Sequence, residues 1–587
     1  MKKLILLLVA TFTTVLASAQ YTFEPPYIPS QNNEPVRSEF ITYRTAADAR
    51  ENNPSKSENR SLLDGEWSLR RIDGTPDQAL VAREADLSGW TKAQIPSSDN
   101  FFPPKEGGST LLLARDFVVP FDYTDRALYL HIGATSDRAT VYVNGHEVGY
   151  TTDPKVPAEY KISDYVERGL NRVVVSVDQF SEATAIAEGS TRNEGGIVRS
   201  VYLFAQPKIR IFDITAKSSL DPTFKNGLLE IALLVKSELL NPHDVTIYYD
   251  LYDSKGRLVN QEHKPLRIDM RRQDTVRFTS TIMNVNKWDF ETPELYTAMF
   301  SIKREGRFTE YVARRVGFRS IESVDKRVLI NGQPTVFRGV NLYMINSLHS
   351  DFVSSDTIIK NLITLREQGV NAIRTPYPLQ NKFYDACDSV GMYVISNANL
   401  NTRNMYRPLS KGGAVSNDPA WRDIFVERVV SSYEYLKLHP SVVAFGLGED
   451  AGNGYNMYQA YLEIRRRNSD AVIVYDEANM EWNTDWYMPT SSEKQYGVEV
   501  QPLVYSRSED PQLWKTLNGG FLGEYKSDKI YVENLSQIVD GDYSYVTIEE
   551  VDTKKGVFKI TNNLPSLNLS YYGLDYKIYN NSGKVVD

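Results

Sequence analysis

His439-Pro440-Ser441-Val442-Val443-Ala444-Phe445-Gly446-Leu447-Gly448-Glu449-Asp450-Ala451-Gly452-Asn453-Gly454 is the stretch that decides the fold. The unbroken apolar run from Val442 to Phe445 has the length of a strand buried on both faces, and the glycines that follow mark its end. It runs into a loop with two adjacent carboxylates, Glu449 and Asp450. Strands of a (β/α)8 barrel present their chemistry in this way, at their C-terminal ends.

The flanking text repeats the unit. Thr335 to Asn341 reads as a strand, and Ile358, Ile359, Leu362, Ile363 and Leu365 follow at helical spacing, closed by Gly369. Asn371 to Arg374 and Met392 to Ile395 read as strands around a helix carrying Phe383, Ala386 and Cys387. Asp418-Pro419 caps a helix whose Trp421, Phe425, Val429, Tyr433 and Leu436 share one face. Alternation of this kind predicts a (β/α)8-type barrel. Strands are expected near residues 336, 372, 394, 444, 473, 503 and 522, one unit short of a full barrel. A gap or substitute strand is therefore expected near 506–530. From Tyr545-Val546-Thr547-Ile548 the text returns to a β pattern.

Upstream, Glu34 to Gln206 is a series of short alternating runs, such as Ala139-Thr140-Val141-Tyr142-Val143 followed by the hairpin dipeptide Asn144-Gly145. This predicts a β-sandwich. Lys208 to Arg319 has the size and rhythm of an immunoglobulin-like sandwich.

A chain of 587 residues, 41% hydrophobic and 24% charged, is ordinary globular protein with several cores. A net charge of -9 without Lys/Arg runs argues against a nucleic-acid surface or an anionic membrane. Lys2-Lys3, the apolar run Leu4 to Leu16 and Ala17-Ser18-Ala19 read as a signal peptide over 1–19, which predicts export to a periplasm or the outside. No later apolar run approaches the ~20 residues of a membrane span. With Cys387 as the sole cysteine, an internal disulfide is excluded.

Several motifs together resemble family-2 glycoside hydrolases of the β-galactosidase type. They are Asp64-Gly65-Glu66-Trp67, Val143 to Tyr150, Gly195-Gly196-Ile197-Val198-Arg199, Arg315-Val316-Gly317-Phe318-Arg319 and Arg338-Gly339-Val340-Asn341. The resemblance runs from about Glu34 to the end. It implies a sugar-binding jelly roll over 20–207, an immunoglobulin-like sandwich over 208–320, the barrel over 321–540 and a partial β-sandwich over 541–587. It also implies a carbohydrate ligand.

In that family the strand equivalent to 439–450 ends Gly-Asn-Glu, where Asn holds the sugar 2-hydroxyl and Glu protonates the leaving oxygen. Here those places carry Glu449 and Asp450. A retaining glycosidase needs two carboxyls ~5–5.5 Å apart. Asp450, one methylene shorter than Glu, falls roughly 1 Å short, a misplacement worth ~10²-fold, and Glu449 adds a neighbouring negative charge.

For the nucleophile the resemblance leaves two registers for Glu524. In one, Gly519-Gly520-Phe521 belongs to the family's later Gly-Gly-Phe strand and the nucleophile strand is deleted; in the other, Leu522-Gly523-Glu524-Tyr525 is the nucleophile strand. Tyr505 is the counterpart of an active-site tyrosine, and Asn341, Arg374 and Tyr377 are candidate sugar contacts. Tyr343, Tyr377, Tyr406 and Trp482 are aromatics able to line a cleft.

Other family features are replaced. Leu342 to Ser347 stands in place of an Arg-His-Glu-His-His run, Arg374-Thr375-Pro376-Tyr377-Pro378 lacks the family His, and Ser190 replaces a sandwich Asp that contacts substrate. Asn401 and Arg403 stand where the family's metal site has Glu and His, and none of the six His has metal-ligand spacing, so no metal and no other cofactor is expected. Two functions follow as expectations: a catalytically impaired member kept for glycan binding, or an active retaining exo-β-glycosidase using Asp450 as acid/base and Glu524 as nucleophile.

Overall fold

The computed structural model describes residues 29–97, 109–123, 125–179, 181, 185–187, 196–324, 327–342, 353–403, 405, 414–478, 481–487, 505–506, 519–526, 529–531, 546–552, 555–562, 577 and 584–585. The signal-peptide segment, Tyr343, Tyr406 and Ser190 lie outside the described residues.

The first sandwich packs a six-stranded antiparallel sheet on a four-stranded one. Val173, Val175 and Val177 alternate into the core against Trp67, Leu113, Val201 and Leu203. The reverse face, Leu112, Ala114 and Val174, is covered by Val81 and Trp90, so Leu111 to Ala114 are all buried instead of alternating. Asn144 and Gly145, both at positive φ, make the two-residue turn that pairs Val143 with His146.

The second sandwich joins a three-stranded to a five-stranded sheet. One edge strand, Thr42–Tyr43, comes from the segment assigned by sequence to the first sandwich; it pairs antiparallel with Arg307–Val316. Between the sandwiches lies Glu310, fully buried, accepting from Gln206 Nε2 and Ile211 N at 2.8 Å each. Burial pushes its carboxyl up to about 7.

The third unit alternates strand and helix: β1 (Phe337–Leu342), α1 (Ser355–Glu367), β2 (Ala372–Thr375), α2 (Asn381–Val390), β3 (Tyr393–Asn397), α3 (Arg422–Leu436), β4 (Val442–Gly446), α4 (Tyr455–Arg467) and β5 (Ile473–Val474). After them come β6 (Trp486–Tyr487), β7 (Tyr505–Ser506), β8 (Gly519–Lys526) and β9 (Lys529–Tyr531). The sheet runs β7-β6-β5-β4-β3-β2-β1-β8-β9. The seven strands from β6 through β1 to β8 are parallel to their neighbours, while β7 and β9 pair antiparallel at the two ends. Among the described residues seven parallel strands are seen, as expected, but the strand expected near 503 is the antiparallel β7, and the sixth parallel strand is Trp486–Tyr487. Two residues joined to β5 through one partner pair, Val474 with Trp486, are too short to show a period in sequence.

Close approach explains two residues of β1 and β8. A Cβ on Gly339 would meet the Phe521 ring at 2.3 Å, so only glycine lets the buried Phe521 pack there. On α1, Ile358, Leu362 and Leu365 face inward while Ile363 is 43% exposed, which narrows the face read from spacing. Among the described residues no helix is long and apolar enough to cross a membrane. Cys387 is buried on α2.

His439, at the entry to β4, is drawn into a cluster that sequence spacing does not show. Its ligand atoms and those of Asp385 and Asp388 lie within 4.8 Å of one another, although 51 residues separate His439 from Asp388. The carboxylate of Asp388 is already engaged, accepting from Ser441 N at 2.9 Å and meeting His439 Nδ1 at 2.7 Å. On the other side of the ring, His439 Nε2 lies 2.9 Å from Asn381 Oδ1 and 3.4 Å from Arg314 Nη2. The cluster ties α2 to the start of β4, at the end of the strand opposite Asp450.

Candidate active site

The C-terminal end of β4 is pressed against the loop after β3 by two glycines. A Cβ on Gly446 would fall 1.9 Å from Asn397 Oδ1, and one on Gly448, at φ +142°, would fall 2.6 Å from the Leu400 carbonyl. Backbone bonds then lock the acidic loop: Leu447 N donates to Val474 O at 3.0 Å, Glu449 N to Leu400 O at 2.9 Å, and Thr402 N to Asp450 O at 3.2 Å. Gly448→Ala is expected to destabilise the protein by about 1–3 kcal/mol through the backbone strain and lost contact. Thermal unfolding checks this; an unchanged midpoint would mean the loop is not held this way.

Asp450 sits in the left-handed region at φ +50°. Its N–H donates to Glu477 Oε1 at 2.6 Å, and its carboxylate is ion-paired with the Arg403 guanidinium. Arg403 is positioned in turn by its own N–H, which donates to Asn401 Oδ1 at 3.0 Å. The two residues that resemblance placed at the family's metal position therefore form a cation and its support, next to the acid.

Glu477 belongs to this cluster although none of the motifs read above includes it. It lies just after β5, within reach of Asp476 and Glu449. Burial raises its carboxyl to about 7; the Asp476 charge adds to the rise, and Glu449 contributes less. The signal available in sequence was Tyr475-Asp476-Glu477 following an apolar pair, a second barrel strand ending in paired carboxylates.

The sugar-contact candidates are placed differently from expectation. Arg374 is 5% exposed and donates from Nη2 to Asp476 Oδ2 at 2.6 Å. Tyr377 is 1% exposed, with the buried Lys155 of the first sandwich over its ring at 4.9 Å, so it is no cleft-lining aromatic. Asn341 donates to Phe521 O at 3.2 Å. Glu524 pairs by register with Asn341, and Tyr505 with Tyr487; the side chains of Glu524 and Tyr505 lie outside the described residues. Glu449 is 8% exposed beside Asp450, and Trp482 is 45% exposed.

The first sandwich reaches over this end of the sheet. Arg428 on α3 donates to Thr152 O at 2.8 Å and to Asn399 O at 2.5 Å. Asn401 N donates to Ile186 O at 2.9 Å. Asp153 is fully enclosed at this junction, where burial raises its carboxyl.

Comparison with known proteins gives three consecutive family matches. The sugar-binding domain of glycosyl hydrolases family 2 matches 82–207, a second family 2 domain matches 209–319, and the family 2 TIM barrel domain matches 321–540. A β-galactosidase of Priestia megaterium is 26% identical over 488 residues, covering 77% of this chain and 47% of that protein. A β-galactosidase of Streptococcus thermophilus is 28% identical over 418 residues, 70% and 39% respectively. The chain spans about half the length, or less, of such relatives. Among solved structures, a β-glucuronidase of Bacteroides uniformis superposes with TM-score 0.61 at 17% identity, covering 75% of this chain and 53% of that one. The β-D-glucuronidase of Dictyoglomus thermophilum gives 0.57 at 20%, with 72% and 73% covered. At such identities the structural likeness speaks to the fold alone.

Proposed function

We propose, from the premise that this chain belongs to glycoside hydrolase family 2, that it binds β-galactoside-type glycans outside the cytoplasm and hydrolyses them weakly or not at all. The observation that carries this is the position of β8 beside β1. A strand that neighbours the first strand holds the place of a barrel's last strand. This supports the register in which Gly519-Gly520-Phe521 is the Gly-Gly-Phe strand and the nucleophile strand is missing. The acid is compromised as well, because an ion pair with Arg403 exists only while Asp450 is ionised, whereas a leaving-group acid must arrive protonated. Export is inferred from the Lys2-Lys3 to Ala19 pattern.

The active-glycosidase reading draws on the register that sets Glu524 level with Asn341. An aryl β-galactoside with an activated leaving group separates the two, since it needs no acid. No turnover is expected from the wild type. Turnover abolished in Glu524→Gln would reverse the proposal and make this an enzyme with a weakened acid. In that case the rate for unactivated galactosides should rise as pH falls through about 7, where Glu477 takes up its proton, and Glu477→Gln should lose that inflection.

A further inference from the structure

We propose that Trp482, on the rim beyond Asp450, is a preformed platform for the outer units of a β-linked oligosaccharide whose terminal unit enters the site. This rests on the glycan-binding reading above and extends it from a single sugar to a chain.

Trp482 follows β5, and the strand-to-helix loops there form the same end of the sheet as Asp450. Its neighbours in sequence tie it to the acidic loop. Glu481 Oε2 accepts from Asn453 Nδ2 at 3.2 Å, and Asn483 Nδ2 donates to Asn453 Oδ1 at 2.9 Å. Asn453 is three residues past Asp450. Tyr475, at the end of β5, adds a bond from its hydroxyl to Gly452 O at 2.9 Å. The indole is thus fixed in position relative to the candidate acid.

The ring is also braced. Tyr458 lies 5.0 Å from it at a 37° tilt, and Tyr461 meets it edge-on at 5.5 Å and 89°. The indole nevertheless stays 45% exposed, and Tyr455, one turn before Tyr458 on α4, is 40% exposed. Aromatic rings held rigid by neighbours lose little conformational freedom on binding. An exposed indole offers an apolar face for the C–H side of a pyranose. The hydroxyl edge of the same sugar needs acceptors and donors, and the exposed Glu481 and the partly exposed Asn453, held from behind by the buried Asn483, stand at the rim to supply them. An apolar face with a carboxylate and an amide along one edge suits a neutral saccharide.

Calorimetric titration of the full chain with galactose and with β-1,4-galactotetraose tests this, on the wild type, Trp482→Ala and Trp482→Phe. The tetraose should bind the wild type about 3–10-fold tighter than galactose. Trp482→Ala should erase that advantage and leave galactose affinity unchanged, while Trp482→Phe should keep part of it. Equal affinities for the two sugars in the wild type, an advantage that survives Trp482→Ala, or an equal loss for both sugars in that variant would overturn the platform while leaving the glycan-binding function standing. Failure of both sugars to bind the wild type would overturn both.

Discussion

Replacing Arg374 by alanine is expected to lower the unfolding free energy of the barrel unit by about 3–5 kcal/mol, because it leaves a buried carboxylate without its counter-charge. Arg374 and Asp476 meet at 2.6 Å with side chains only 5% and 3% exposed. Asp476 already helps raise its neighbour Glu477, so an unpaired Asp476 would add repulsion inside the acidic cluster. The double variant Arg374→Met with Asp476→Leu removes both charges and should come back close to the wild type. Denaturant titration of the wild type and the two variants gives the comparison. A loss under 1 kcal/mol for the single variant would mean that solvent reaches the pair. The same pairing explains why Arg374 is not available as a sugar contact: its reach is spent within the sheet, on the carboxylate that follows β5, three strands along.

A second large effect is expected from Glu310 as a function of pH. Its folded carboxyl titrates at about 7 against an ordinary 4.5. Below pH 4.5 the group is protonated in both states and its neutral form is well accommodated. Between 4.5 and about 7 the unfolded chain ionises first, so stability falls, and above 7 the loss levels off. The difference corresponds to roughly 3 kcal/mol. Glu310→Gln carries no proton to lose, so the gap in stability between pH 4.5 and pH 8 should shrink by about that amount. If wild type and variant show the same pH slope, Glu310 is ionised in the fold at all these values and the assignment fails.

What was legible in the sequence was local or periodic. The Asn144-Gly145 turn, the alternation of Val173, Val175 and Val177, the capped face of Phe425, Val429 and Tyr433, and the strand ending in Glu449-Asp450 each depend on neighbours within a few residues. The candidate site was legible only as far as that strand. Glu477 reaches Asp450 from 27 residues away, and Arg374 finds Asp476 across 102. Lys155 covers Tyr377 from another domain. None of these pairings leaves a periodic trace, because each is made when separate strands and a sandwich loop converge.

By itself, then, the amino-acid sequence determined the domain order, the family, the alternation of strand and helix and the place of Asp450, since turn chemistry, strand alternation and helical spacing act over a few residues. Only the tertiary structure decided which side chains remain available: it set Arg403 against Asp450, put β8 beside β1, buried Tyr377 and left Trp482 exposed. The reason is that burial and ion pairing depend on which distant surfaces meet, and an arginine or a tyrosine reads the same in sequence whether it faces a sugar or a neighbouring carboxylate.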